Sequence, residues 1–252
     1  MTVSEFSREL ECRIPSALSE SWDNDGAMLV PDSHTEVKRV LVALDATTAA
    51  INRAIAIGAD AIVTHHPLIF SGMKSISDSD AVGKRVIACI NNGIAVFSYH
   101  TRLDSMQGGV NDCLMRVLGF DDFDSFLPFG RVATLAEQMS FEDFTALVSN
   151  SLGESPSASV KSRPVKKIAV VSGGGKDFVR DAAAIGADTY ITGEASHSAY
   201  IEAHELGINM LCMTHHATER VVLSALSDIV KDIDSGIETV IFDFEREIEY
   251  GI

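Results

Sequence analysis

The chain repeats itself. From residue 166, KKIAVVSGGG lies over the KRVLVALDAT that starts at residue 38, and IGADTYIT (185–192) lies over IGADAIVT (57–64), both at one offset of 128 without a gap. IGAD alone could recur by chance, because Gly followed by Ala and Asp is a common helix-to-strand junction. A strand, a helix, its junction and the next strand agreeing at one offset make chance a poor explanation, and a solenoid would need more copies. The repeat predicts an internal duplication in an α/β fold: two related domains, 1–127 and 128–252, with a C-terminal strand able to pack back on the first.

Inside the first copy, 38–44, 60–64 and 94–98 read as strands, and 47–57 and 81–92 as helices stopped by Gly58 and Gly93. Strands alternating with helices at this pitch argue for βαβ units and a largely parallel sheet. Ahead of them Val3, Phe6, Leu10 and Ile14 recur at helical spacing up to Pro15, and a short apolar strand follows the turn residues around Gly26. After Gly108 and Gly109 a helix is predicted over 110–118. The acidic, aromatic FDDFDSFLPFG reads as a surface connection holding the domain boundary, a strand restarts at 131–135, and Ser140 with Asp143 forms a capping-box pattern for a helix to about Leu152.

Open α/β sheets bind ligands beyond the carboxyl ends of their strands, and the chemistry-bearing residues fall at such ends. The strand over 60–64 runs into His65, His66 and Pro67. Neighbouring side chains on a strand point to opposite faces, so two adjacent histidines serve one site only where the strand is ending, and the proline supplies that ending. Alone, such a pair is equally a capped, solvated loop. The chain returns to the same chemistry in YHTRLD (99–104) and THHATE (214–219). The repeat puts Gly193 and Glu194 at the positions of His65 and His66, with His197 nearby. Residues 208–213 match 94–99, which sets Thr214 and His215 where the first copy has His100 and Thr101.

His215 and Glu219 are four apart at the start of a predicted helix, so they share a face and can chelate one centre. An HxxxE pair by itself is more often a solvated face, and an Asp after a strand, such as Asp104, is usually a cap. Together, His65, His66, Asp104, His215 and Glu219 supply three imidazoles and two carboxylates, an inventory suited to two divalent ions with one carboxylate bridging them. Two metals about 3.5–4 Å apart can hold a bridging hydroxide and polarise the bond it attacks. His100, Glu194 and His197 are candidate catalytic residues, as partners of the ligands or proton shuttles, and equally candidates for hydrogen-bonded structural roles. His216 fits either use; His34 and His204 read as surface residues. The glycines at 173–175 could let a backbone or a phosphate approach closely, and read more readily as a flexible strand-to-helix turn, since GxGxxG and Walker patterns are absent. Mixed His and carboxylate ligation accepts zinc, manganese, iron or nickel.

Composition narrows the partners. A net charge of −16, with 20 Lys and Arg against 36 Asp and Glu, argues against nucleic acid and anionic membranes, whose binding needs clustered cations. No apolar run approaches the ~18 residues of a membrane helix, and the N-terminus lacks a signal-peptide layout. Four dispersed cysteines without a CxxC pair suggest neither a disulfide framework nor a thiolate zinc site, which points to a reducing cytoplasm.

WDNDG, THHP, HTRLD, the TGE of ITGEASHSAY and HHATE, in this order over nearly the whole chain, resemble the NIF-three-like dinuclear metal-binding family, the YbgI-like proteins often called GTP cyclohydrolase 1 type 2. Carried over residue by residue, the resemblance implies metal ligation by His65, His66, Asp104, His215 and Glu219. It further implies two α/β domains with the metal site in the cleft between them, and a toroidal homohexamer. The chain departs from the family pattern in three places: Arg102 stands where Asn is usual, WDNDGA replaces WDNVGL, and Thr214 replaces a Gly. None removes a ligand.

These readings lead to a metal-dependent hydrolase, with a metal-bridging hydroxide as nucleophile, Asp104 or Glu219 as bridging ligand and a small-molecule substrate, a nucleotide by the family's name. No nucleobase signature stands out, and Arg102 reads either as a phosphate contact or as an exposed structural residue. A dinuclear phosphoesterase competes closely. The alternatives are a metal-binding scaffold or metal-delivery protein without turnover, and a fold whose histidines are structural.

Overall fold

The computed structural model describes residues 1–243; the last part of the expected second domain, 244–252, lies outside the described residues. Contacts group the chain into two compact units, Met1–Met106 with the chain from Leu223 onward, and Gln107–Val222.

The first unit contains α1 (Val3–Arg13), β1 (Gly26–Leu29), β2 (Arg39–Ala43), α2 (Thr48–Ile57), β3 (Ala61–Thr64), α3 (Ala81–Asn91), β4 (Ala95–Ser98) and α4 (Thr101–Ser105). The second contains α5 (Val110–Val117), β5 (Asp124–Phe126), β6 (Gly130–Met139), α6 (Phe141–Leu152), β7 (Ala158–Val160), β8 (Val165–Val171), α7 (Val179–Ala184), β9 (Thr189–Thr192), α8 (His197–Leu206), β10 (Asn209–Cys212) and α9 (His215–Glu219). The chain then returns to the first unit as α10 (Leu223–Ile233) and β11 (Glu238–Phe242).

Local chemistry sets the boundaries. Thr2 and Glu5 form a reciprocal capping box on α1, whose Val3, Phe6 and Leu10 are buried. Thr47 caps α2, which ends on Gly58 in the left-handed conformation, and Ser140 caps α6.

Sheet order in the first unit is β1-β4-β3-β2-β11, with β1 antiparallel and the other four strands parallel. In the second it is β5-β6-β8-β9-β10-β7, with β8, β9 and β10 parallel and the flanking strands antiparallel. The central strands are buried on both faces, which is why they read as unbroken apolar runs. Leu41, Ile51, Ile62, Val86 and Val96 belong to the first core; Leu114, Phe144, Val148, Ile168, Ile191 and Leu211 belong to the second.

The repeat reappears as register. In β2 and β3, Val40 pairs with Ala61 and Ala43 with Thr64; in β8 and β9, Ile168 pairs with Thr189 and Val171 with Thr192, each residue 128 further on. The bracing repeats as well. The Asp60 carboxylate accepts the backbone N–H of Lys38 and Arg39, at 2.8 and 2.9 Å, and Asp188 accepts those of Lys166 and Lys167, both at 2.9 Å. Arg39 and Lys167 each reach back to a carbonyl at the end of the copy's helix, that of Ile57, the last residue of α2, and that of Ile185, the C-cap of α7. These equivalences agree with an internal duplication.

The flanks differ from expectation. The units divide at 106/107 rather than at 127/128, because α5 sends Leu114 and Met115 into the second core, while β11 adds to β2 as the C-terminal strand expected to pack back on the first domain, here with α10 before it. The stretch read as a surface connection holds β5, which pairs with β6 through a turn where Leu127 has φ of 55°. Phe126 is buried there, and Phe120, Phe123 and Phe129 are half-buried against the core of the second unit, so the aromatics of this acidic run pack inward while its carboxylates face out. Among the described residues, no helix is long and apolar enough to cross a membrane.

Candidate metal centre

In the first unit β3 delivers His65 and His66, and the turn after β4 delivers His100. The Thr64 hydroxyl, 2.8 Å from both the His66 carbonyl and the Ser98 hydroxyl, ties the two strand ends together. Backbone bonds stop there, with His66 N–H on the Leu44 carbonyl at 2.8 Å and Tyr99 N–H on the Thr64 carbonyl at 2.9 Å. The histidine rings converge as the ending strand requires. His65 and His66 lie 4.8 Å apart between centroids, and His100 lies 5.4 and 5.7 Å from them. One nitrogen from each of the three rings falls within a common 4.8 Å, a grouping that could hold a metal ion. Asp104, on α4, brings Oδ1 to 3.7 Å from His65 Nε2.

In the second unit His215 and Glu219 share one face of α9, with His215 Nε2 3.0 Å from Glu219 Oε1. Thr214 caps this helix, and its own N–H and hydroxyl donate to Glu154 at 2.7 and 2.9 Å. Thr214 thus ties the start of α9 to Glu154. Gly173 explains the glycine run. It has φ of +56°, and a Cβ there would collide with the Glu219 carboxylate and stand 3.0 Å from His215 Nε2. A Cβ at Gly193 would press on Thr218 and on the His215 backbone at 2.7 and 2.8 Å. The run after β8 is therefore a close approach of backbone to the His/Glu pair, not only a flexible turn.

Each imidazole is oriented through Nδ1. His65 Nδ1 lies 3.0 Å from the Tyr99 carbonyl oxygen, His66 Nδ1 3.1 Å from Asp45, His100 Nδ1 2.9 Å from Asp23, and His215 Nδ1 2.8 Å from Glu194. Carbonyl and carboxylate oxygens only accept, so each Nδ1 carries the proton and donates, leaving the Nε2 lone pair directed elsewhere. For His65 and His215 that lone pair faces a carboxylate. Two acceptors in that relation repel unless a proton or a metal cation lies between them, and ligand atoms 3.0–3.7 Å apart fit bonds of about 2.0–2.2 Å to one ion. Nδ1 on an oxygen acceptor is also the usual arrangement behind a metal-bound histidine.

Of the expected catalytic residues, Glu194 is the partner of His215 and His100 closes the first unit's cluster, its pKa held below the ordinary histidine value by burial and by the charge of His65. Burial presses the Asp23 carboxyl upward, but hydrogen bonds from His100 and Thr101 outweigh it and leave its pKa lowered. His197 is exposed at the first residue of α8. His216 is half-buried, and His34 and His204 are exposed as expected. Asp23 and Asp45 escaped the sequence reading, whereas Gly173 and Gly193 were placed at strand ends without their contact to the His/Glu pair. The repeat carried one signal for them: Asp45 and Gly173 are equivalent at the offset of 128, each just after the first strand of its copy.

Arg102 has the structural role of one expectation, but it is buried rather than exposed, and it is not presented as a phosphate contact. It is 3% exposed, pairs bidentately with Asp25 at 2.6 and 2.9 Å, and donates to Glu11 at 2.7 Å and to the Ile14 carbonyl at 2.9 Å. The guanidinium is committed inside the protein, neither exposed nor presented to a phosphate. Burial works against its charge, yet Asp25 and Glu11 raise its pKa further. Two departures from the family pattern, Arg102 and Asp25, are therefore each other's partners.

Known proteins share this sequence and this fold. A "GTP cyclohydrolase 1 type 2 homolog" of Clostridium perfringens is 35% identical over 252 residues, covering 96% of each chain. Reduced HcgD from Methanocaldococcus jannaschii superposes with a TM-score of 0.84 at 28% identity, over 96% of this chain and 97% of that one. The Staphylococcus aureus hypothetical protein SA1388 does so with 0.86 at 25% identity, over 96% of each. Residues 1–247 match the family described as Duf34/NIF3 (NGG1p interacting factor 3), and the chain belongs to that family.

Proposed function

We propose that this chain is a metal-dependent hydrolase in which His65, His66, Asp104, His215 and Glu219 hold two divalent ions. The observation that carries the reading is the pair of Nε2 lone pairs turned toward carboxylates, His65 toward Asp104 and His215 toward Glu219, with both Nδ1 protons spent on oxygen acceptors. Divalent metal bound there would supply Lewis acidity and activation of water. The chain's own residues do the rest. Tyr99, Asp45 and Glu194 fix ligand tautomer and ring orientation. Asp23 holds His100 with Nε2 as its acceptor, a geometry for taking a proton from water or substrate at that atom. The names of the curated relatives support a nucleotide substrate, with opening of the guanine ring of GTP as the first reaction to test. The family resemblance supports assembly as a homohexamer, and the dispersed cysteines support a reducing, cytoplasmic setting.

Elemental analysis of protein purified without tag or added metal is the decisive test, with His65→Ala and Glu219→Ala in parallel and GTP turnover followed before and after chelation. About two metals per chain, lost or halved in the variants, with hydrolysis that vanishes on chelation, is the expected outcome. Metal without turnover would leave a metal-holding protein, and no metal even after reconstitution would sink the reading.

A further inference from the structure

We propose that Trp22 and Phe70 form a platform on which a planar heteroaromatic ring of the substrate stacks, with the ring's edge toward His100. The two side chains are among the most exposed large apolar groups of the chain, at 61% and 56%. Their rings lie 6.2 Å apart at 48°, and each meets the His100 ring edge-on, at 6.0 and 6.2 Å. Through His100 the aromatic surface is continuous with the rings of His65 and His66.

An isolated exposed aromatic needs no explanation, but this pair is braced. Asn24 Nδ2 donates to the Ile69 carbonyl at 2.5 Å, linking the Trp22 loop to the Phe70 segment. Asp23 accepts from the Thr101 N–H at 3.0 Å and from its hydroxyl at 2.7 Å, as well as from His100. Asp25 is held by buried Arg102. Three consecutive polar residues anchor the loop, and the tryptophan before them is left facing out beside the histidine cluster. Fixing apolar rings in solvent costs stability, and such surface beside convergent polar groups is the mark of a ligand site.

The occupant follows from charge and shape. A chain of net charge −16 repels anions at long range, so a source of binding that involves no charge favours the ring of an anionic substrate over its charged part. Stacking on an aromatic face provides it for any flat ring. His100 Nδ1 is engaged by Asp23, so Nε2 is the atom that would accept a ring N–H. The inference rests on the metal-site reading only for what happens to the ring after it binds.

Trp22 is the chain's single tryptophan, so its fluorescence reports this position alone. The experiment titrates metal-loaded and chelator-treated protein with guanosine, adenosine, uridine and nicotinamide, and with ribose 5-phosphate, which has no aromatic ring. Saturable quenching by at least one ring-bearing probe and none by ribose 5-phosphate is expected. Phe70→Ala should weaken that binding about ten-fold, and by calorimetry Trp22→Phe should retain it while Trp22→Ala loses ten-fold or more, with circular dichroism and metal content unchanged. No saturable binding of any ring, equal binding of ribose 5-phosphate, or an unmoved dissociation constant in Phe70→Ala overturns the proposal. So does a Trp22 already shielded from acrylamide in the unliganded protein, since the face would then be covered by another copy. Quenching that persists in protein shown to bind no metal would uphold the platform while the hydrolase reading fails.

Discussion

Arg102 is a residue whose environment inverts the meaning of its charge. Both it and Asp25 have side chains only 4% exposed, so removing one leaves the other ionised and buried. Breaking such a pair typically costs about 3–5 kcal/mol, whereas replacing both partners with apolar groups can be nearly neutral. Arg102→Ala is therefore expected to lower urea-unfolding stability by about that amount, and Arg102→Met combined with Asp25→Val to lose far less, with Glu11 free to turn to solvent. Equal losses in the single and double variants would show that the pair is not the stabilising unit. The sequence reveals both residues as unusual for the family, but not that they meet: they are 77 apart, and only the course of the chain between α1 and α4 brings them together. The same limit hid Asp23 and Asp45, which look like ordinary turn carboxylates until the imidazoles they orient are placed.

At the scale of elements, far more was legible. Strand and helix limits follow from caps, left-handed glycines and β-branched runs that act locally, so α2, β3, α3 and β4 fall within a residue or two of their sequence readings. The antiparallel flanks were harder: β5 and β7 have three residues each, too short for a periodic signal. Asp60 and Asp188 test the repeat energetically. Each accepts two consecutive backbone N–H groups at the start of a parallel strand, and alanine would withdraw a charge-assisted acceptor from both. Asp60→Ala and Asp188→Ala are each expected to cost about 1–3 kcal/mol in chemical denaturation. Costs that differ several-fold would mean that the two copies no longer use this brace alike.

For the whole molecule the governing quantity is charge. The chain carries 36 acidic against 20 basic side chains, and the fold adds acceptors at His65, Asp104, His215 and Glu219 that lie in or near its interior. Two divalent ions would relieve both the general repulsion and the local one, and these contributions are separable. Screening by salt acts on exposed charges within a Debye length, about 3 Å at 1 M, but acts much less on buried groups. A ligand that binds only the folded state stabilises it by mass action, about 2.7 kcal/mol when free ligand is one hundred times its dissociation constant. For a chain of this size, each kcal/mol moves the unfolding midpoint by roughly 2–4 °C. Removing metal with a chelator should thus lower Tm by about 5–10 °C for each ion lost, and the drop should persist in high salt if it comes from the His and carboxylate groups. His65→Ala with Glu219→Gln should unfold at the same temperature with and without chelator. A drop that disappears in high salt, or one that the double variant retains, would assign the stabilisation to the acidic surface and remove these residues from metal binding.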